Sequence, residues 1–157
     1  LPILDRGGRW VEGEALAREY VERLNVMGGG HGDILFSAEV WVARFLSLQD
    51  ELDEAEAMFQ SLLNGAEADV TPAPRARLHL FHGSNLRRLG ALEEAEAEIQ
   101  AAADFMVDFR LGTINTTPDD ILLEFIALYQ TWGKSELAEK YEAMREQVLA
   151  ELPVDPS

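Results

Sequence analysis

Apolar residues recur along most of this chain in steps of three and four. Leu35, Ala38, Val42, Phe45 and Leu46 share one helical face. Leu78, His82, Leu86 and Leu89 share another, and Ile121, Leu122, Phe125, Leu128, Tyr129 and Trp132 a third. Leu52, Ala55, Phe59 and Leu62 are matched position for position by Leu92, Ala95, Ile99 and Ala102. These steps are the helix period, and no segment alternates as a half-buried strand would. The pattern predicts an all-α fold of seven helices, over 9–24, 33–49, 52–64, 73–89, 92–108, 118–132 and 135–150.

Glycine and proline punctuate these segments. They gather at Gly28–Gly32, Asn64-Gly65, Thr71–Pro74 and Gly112–Pro118, each of which reads as a loop or a helix boundary. Thr117-Pro118-Asp119-Asp120 is a helix start: a capping hydroxyl, a proline suited to the first turn, and two carboxylates at the positive end of the dipole. Thr71-Pro72 repeats the device. The short apolar start Leu1–Leu4 and the proline-broken tail after Leu152 predict flexible ends over 1–7 and 151–157, flanking one domain over 8–150. The opening residues read as the edge of a piece from a longer protein.

The helices come in a repeat. Asp50-Glu51-Leu52-Asp53-Glu54-Ala55-Glu56 parallels Gly90-Ala91-Leu92-Glu93-Glu94-Ala95-Glu96 and Gly133-Lys134-Ser135-Glu136-Leu137-Ala138-Glu139. Gly8-Arg9-Trp10-Val11-Glu12-Gly13-Glu14 is a degenerate fourth copy. The expected turn residues Gly8, Asp50, Gly90 and Gly133 are 42, 40 and 43 apart. Each turn would join two helices, giving hairpins over about 33–64, 73–108 and 118–150 with a lone helix 9–24 before them. The small residues Gly13, Ala55, Ala95 and Ala138, facing Ala43 and Gly83, would let paired helices approach closely. In the last helix Glu142 and Arg145 fall at positions normally apolar, so a shifted face of Leu137, Tyr141, Met144 and Val148 is expected.

These residues resemble the tetratricopeptide repeat family. Val42-Ala43-Arg44-Phe45-Leu46 and Ile126-Ala127-Leu128-Tyr129 look like its first-helix core, and the turn segments look like its glycine-x-aromatic-x-x-alanine core. The long period and Gly28-Gly29-Gly30-His31-Gly32-Asp33 are similar to the longer units of kinesin light chains and many bacterial arrays. The resemblance implies a right-handed solenoid whose first helices line a concave groove. It also implies attachment to a larger bacterial regulator, such as a serine/threonine kinase or a transcriptional regulator.

Charge changes the picture in two ways. Against 13 Lys+Arg stand 29 Asp+Glu, a formal charge of −16, which disfavours nucleic acid and anionic membrane surfaces as partners. With no cysteine there is no disulfide or thiol chemistry, and the compartment stays open with the cytoplasm favoured. No apolar run approaches the length of a membrane span. Yet between Val70 and Leu92 there is no acidic residue, while Arg75, Arg77, Arg87 and Arg88 stand there. Carried over from the family by distance from each turn, the groove lining would be Val40 and Arg44, then Arg77, Leu80, Ser84 and Arg87, then Leu123 and Gln130. Arginine suits forked recognition of carboxylates, so the expected partner is an acidic protein or peptide segment with an apolar anchor. The competing reading makes these arginines ties between helices, and the two balance evenly.

Other chemistry is weaker. His79 and His82 lie three apart on one helix, but no further ligand stands at motif spacing, and a core histidine at 82 explains the pattern better than a metal. The glycine run at 28–32 lacks a phosphate-loop ending, and Asn115-Thr116-Thr117 reads as an inter-repeat loop rather than a glycosylation site. The acidic runs Glu51–Glu56 and Glu93–Glu98 read as solvated outer faces. Trp10, Trp41, Phe81 and Trp132 read mostly as core. The expected function is a protein-interaction scaffold without catalysis, metal or cofactor. A structural role, with homodimerisation through the open repeat end, is the alternative.

Overall fold

The computed structural model describes residues 6–28, 32–65, 70–108 and 118–151. Among them lie seven α-helices and no strand: α1 (Arg6–Met27), α2 (Gly32–Leu48), α3 (Leu52–Gly65), α4 (Pro72–Leu89), α5 (Leu92–Asp108), α6 (Pro118–Trp132) and α7 (Ser135–Glu151). The protein is all-α. None of these helices is long and apolar enough to cross a membrane.

Three tight turns share one geometry. Asp50, Gly90 and Gly133 adopt the left-handed conformation, with φ of 66°, 85° and 76°. Their N–H groups donate to the carbonyls of Ser47, Arg87 and Gln130. The next N–H, from Glu51, Ala91 and Lys134, reaches back to Leu46, Leu86 and Tyr129. This double closure satisfies the last carbonyls of α2, α4 and α6. The next helix begins at once, Ala55, Ala95 and Ala138 donating to the carbonyls of Glu51, Ala91 and Lys134. Asp50 occupies the left-handed site where the other two turns have glycine, and its carboxylate accepts from Arg88, which also donates to the Ser47 carbonyl. The end of α4 thereby closes the end of α2.

Each helix packs on the next in sequence. In addition α2 packs on α4 and α4 on α6, whereas the described residues of α1, α3, α5 and α7 do not approach one another in this way. The even-numbered helices form a central row, and the odd-numbered ones fill the notches beside it. Two apolar clusters result. Phe36, Val42, Ala43, Phe59 and Leu78 join α2, α3 and α4. Leu80, Ile99, Ile121, Phe125 and Leu128 join α4, α5 and α6.

The small-residue contact is visible at Gly83. A methyl built there would stand 2.7 Å from Ile99 Cγ1 and 3.2 Å from the Ala95 carbonyl oxygen. Gly83→Ala should therefore destabilise the fold by about 1–2 kcal/mol, the overlap exceeding the gain in helix propensity. Urea denaturation checks this, and unchanged or raised stability would mean that α4 and α5 can separate freely.

Several sequence expectations need correction. Gly8 is no turn: α1 runs helically from Arg6 through it to Met27. Asn64-Gly65 does mark a helix boundary, as the end of α3. Thr71 sits at the N-cap of α4 with Pro72 in the first turn, but its side chain makes no capping bond. Both its N–H (2.9 Å) and its hydroxyl (2.6 Å) donate to Asp33, pinning the start of α4 to α2. On α7 Leu137 and Tyr141 pack on the core, but Met144 is exposed. Arg145 turns instead to Asp119 at 2.6 Å. Residues 6, 7 and 151, expected at flexible ends, are helical. The remaining terminal residues, His31, Thr117 and the 115–117 sequence lie outside the described residues.

Candidate interaction groove

The long apolar spacing of α2 leaves one face uncovered. Trp41, Phe45 and Leu48 on that face, with Trp10, Leu16 and Tyr20 of α1 and Phe81 of α4, border an open cavity of about 1050 Å³. Leu16 is 66% exposed and Tyr20 49%. The rings run as a continuous ladder: Trp10 to Phe45 at 6.2 Å between centroids, Phe45 to Trp41 at 5.7 Å, Trp41 to Phe81 at 5.1 Å. Two smaller cavities adjoin it along the central row, one of about 330 Å³ against Leu80, Leu123 and Glu124, the other of about 440 Å³ against Ser84, Arg87 and Glu124. Arg44 borders all three.

The arginines divide by what they touch. Arg44 donates to Ser84 Oγ at 3.1 Å and lies over the Phe81 ring at 4.8 Å. Burial lowers its pKa, partly opposed by Glu124. Arg87 pairs with Glu124 at 3.7 Å, too far for a hydrogen bond. Arg88 is the helix-end tie described above. Arg77 differs from all three. It is 9% exposed, and its one described contact with a polar or aromatic group is the Trp41 ring at 5.7 Å. No carboxylate answers it among the described residues, and burial lowers its pKa. It borders both the large cavity and its neighbour.

Of the lining expected from the sequence, Arg44, Arg77, Leu80, Ser84, Arg87 and Leu123 border one of these cavities. Val40 and Gln130 border none. Val40 is wholly buried in the core, and Gln130 bonds Glu142 at 3.1 Å. On α2 Arg44 lies on the open face as expected, but its companions there are Trp41 and Leu48 rather than Val40. The aromatic ladder went unrecognised because its rings read as core. The signal was present: Trp41 and Phe81 stand one repeat apart, and Phe45 follows Trp41 by one helical turn.

A second polar cluster lies away from the groove. His82, 2% exposed, faces Glu56 at 2.8 Å and Glu98 at 3.3 Å, and His79 meets Glu98 at 2.6 Å. Asn85 donates to Glu56 at 3.1 Å and to the Leu52 carbonyl at 3.2 Å. Glu56 and Glu98 are thus only partly exposed, where their acidic runs suggested solvated faces, and they tie three helices together. Burial would depress the His82 pKa, but bonds and charge from Glu98 and Glu56 raise it overall. Burial would raise Glu98, but the two histidines bring it down to about 2. Among the described residues no group of three or more acidic, histidine or cysteine side chains could hold a metal ion.

Comparison with protein-family models, curated proteins and solved structures finds no match to this chain.

Proposed function

We propose that this chain is a tetratricopeptide-like helical solenoid that acts without catalysis, as a scaffold holding a protein segment in the groove beside its central row. The resemblance of the turn sequences supports the solenoid, as does the identical closure of three turns. The carrying observation for binding is Arg77: a residue 9% exposed, without a carboxylate partner among the described residues, at the edge of an open cavity of aromatic side chains. Such a site favours an apolar segment bearing an acidic residue. Elsewhere the chain's charge of −16 repels acidic partners, so the groove also orients what it binds.

The test is selection of random displayed peptides on the immobilised protein. Bound sequences should combine large apolar residues with Asp or Glu, and Arg77→Met should weaken them by about tenfold or more. Peptides that bind Arg77→Met as well as the unaltered chain would place recognition elsewhere. The alternative, self-association, rests on the exposure of Leu16 and Tyr20 at one end of the array, and sedimentation of the free protein measures it.

A further inference from the structure

The large cavity has a counterpart inside the fold, and there it is full. α2 packs on α3 and α4, and α4 packs on α5 and α6. No described helix holds the corresponding place against α1 and α2. The correspondence runs residue by residue. The α4 side chains that meet α2 or the turn after it are Arg77, Phe81, Ser84 and Arg88. Set back by the 40 residues between turns, these positions are Ser37, Trp41, Arg44 and Leu48, and all four border the cavity.

The odd-numbered helices agree. Ala55, Phe59 and Leu62 on α3 are buried, as are Ala95, Ile99 and Ala102 on α5. Their equivalents on α1, counted from Gly8, are Gly13, Ala17 and Tyr20. None of these three is buried, and all border the cavity. The fold covers these positions in the two inner hairpins, whereas at α7 Ala138 is buried but Glu142 is exposed; at α1 Gly13 lies against the Phe45 ring, Ala17 against the apolar cluster, and Tyr20 is left open.

We propose that the cavity is the seat of one further amphipathic helix, supplied by another polypeptide, which lies against α1 and α2 as α2 lies against α3 and α4. Arg77 fixes the chemistry of the occupant. A carboxylate on its polar edge would answer Arg77, which has no acid partner among the described residues, and its apolar face would cover Leu16, Tyr20 and Trp41. This rests on the groove reading above and adds a shape and an origin to it.

The probe is a synthetic amphipathic peptide of about 18 residues, long enough to hold helix once seated. It carries leucines at helical spacing to meet Leu16 and Tyr20 and a glutamate to meet Arg77. Tryptophan fluorescence follows binding, and circular dichroism follows helix gain. Binding should add helix beyond the sum of the separate spectra. A central proline in the peptide should weaken binding by about tenfold or more. So should Leu16→Glu and Tyr20→Glu, at exposed positions where the protein's own helicity should not change. A proline peptide that binds equally well, or binding indifferent to Leu16→Glu, overturns the helical seat. If the displayed peptides above still require Arg77, the groove reading survives that result. If neither peptide class needs Arg77, both fall. A free protein that sediments as a dimer, and as a monomer once Leu16→Glu is made, would give the seat to a second copy and overturn the assignment to another polypeptide.

Discussion

Glu98→Gln should lower the unfolding free energy at about pH 5.5 by on the order of 3 kcal/mol, and should flatten the dependence of stability on pH. Glu98 is the shared partner of His79 and His82, and its carboxyl is brought down to about 2 from 4.5. A shift of that size corresponds to on the order of 3 kcal/mol. The same ion pairs raise His82, so this energy is counted once. Because the Glu98 pKa is lowered on folding, its contribution is present above about pH 4.5 and disappears as pH falls toward 2. Because the His82 pKa is raised above 6.5, its contribution is complete below about pH 6.5 and disappears as pH rises through the raised value. Stability of the unaltered protein should peak between those limits and fall on both sides. Glutamine keeps the size of the side chain but cannot neutralise a protonated His82. The deficit should therefore be greatest near the peak and shrink as pH rises through the raised His82 value. Denaturant titrations at about pH 3, 5.5 and 9 measure it. An equal deficit at all three would mean that Glu98 acts by packing alone.

The same cluster shows where sequence reading stops. Seven helices were legible because Leu52-Ala55-Phe59-Leu62 and Leu92-Ala95-Ile99-Ala102 repeat the helical period without interruption. The turns at Asp50, Gly90 and Gly133 were legible from spacing, since a left-handed residue must end each first helix. Gly8 shared that spacing but not the outcome, because a glycine only lowers helix propensity and does not by itself stop a helix. Glu56 and Glu98 read as solvated because periodicity gives a residue's face but not the reach of its side chain. Each extends from the flank of a second helix to a histidine on α4. Trp41 read as core for a related reason. Its face is apolar, and only the missing neighbour against α1 and α2 makes it a surface. The groove arginines were visible as a charge anomaly, but the sequence carried no sign of which had carboxylates. Arg87 has Glu124 and Arg88 has Asp50.

That difference among the arginines leads to opposite expected results for two similar substitutions. Arg77→Met should raise stability by about 1–2 kcal/mol while weakening groove binding. Arg77 is 9% exposed with no acid among the described residues, and its partial desolvation costs more than the about 1 kcal/mol that the contact with Trp41 returns. Methionine keeps the apolar stem in place and removes the charge. For a chain of 157 residues the melting temperature should rise by about 2–8 °C. Arg87→Met should move the other way, because it strips the partner from Glu124, whose Oε2 is buried and makes no hydrogen bond. Thermal melts of the two variants beside the unaltered protein, read with binding of an acidic apolar peptide, separate the roles. A stabilised Arg77→Met that no longer holds the peptide marks Arg77 as a residue kept for its ligand at the expense of the fold. If Arg77→Met instead melts lower, as Arg87→Met should, then Arg77 is a tie between α2 and α4, and the acid that answers it belongs to this chain.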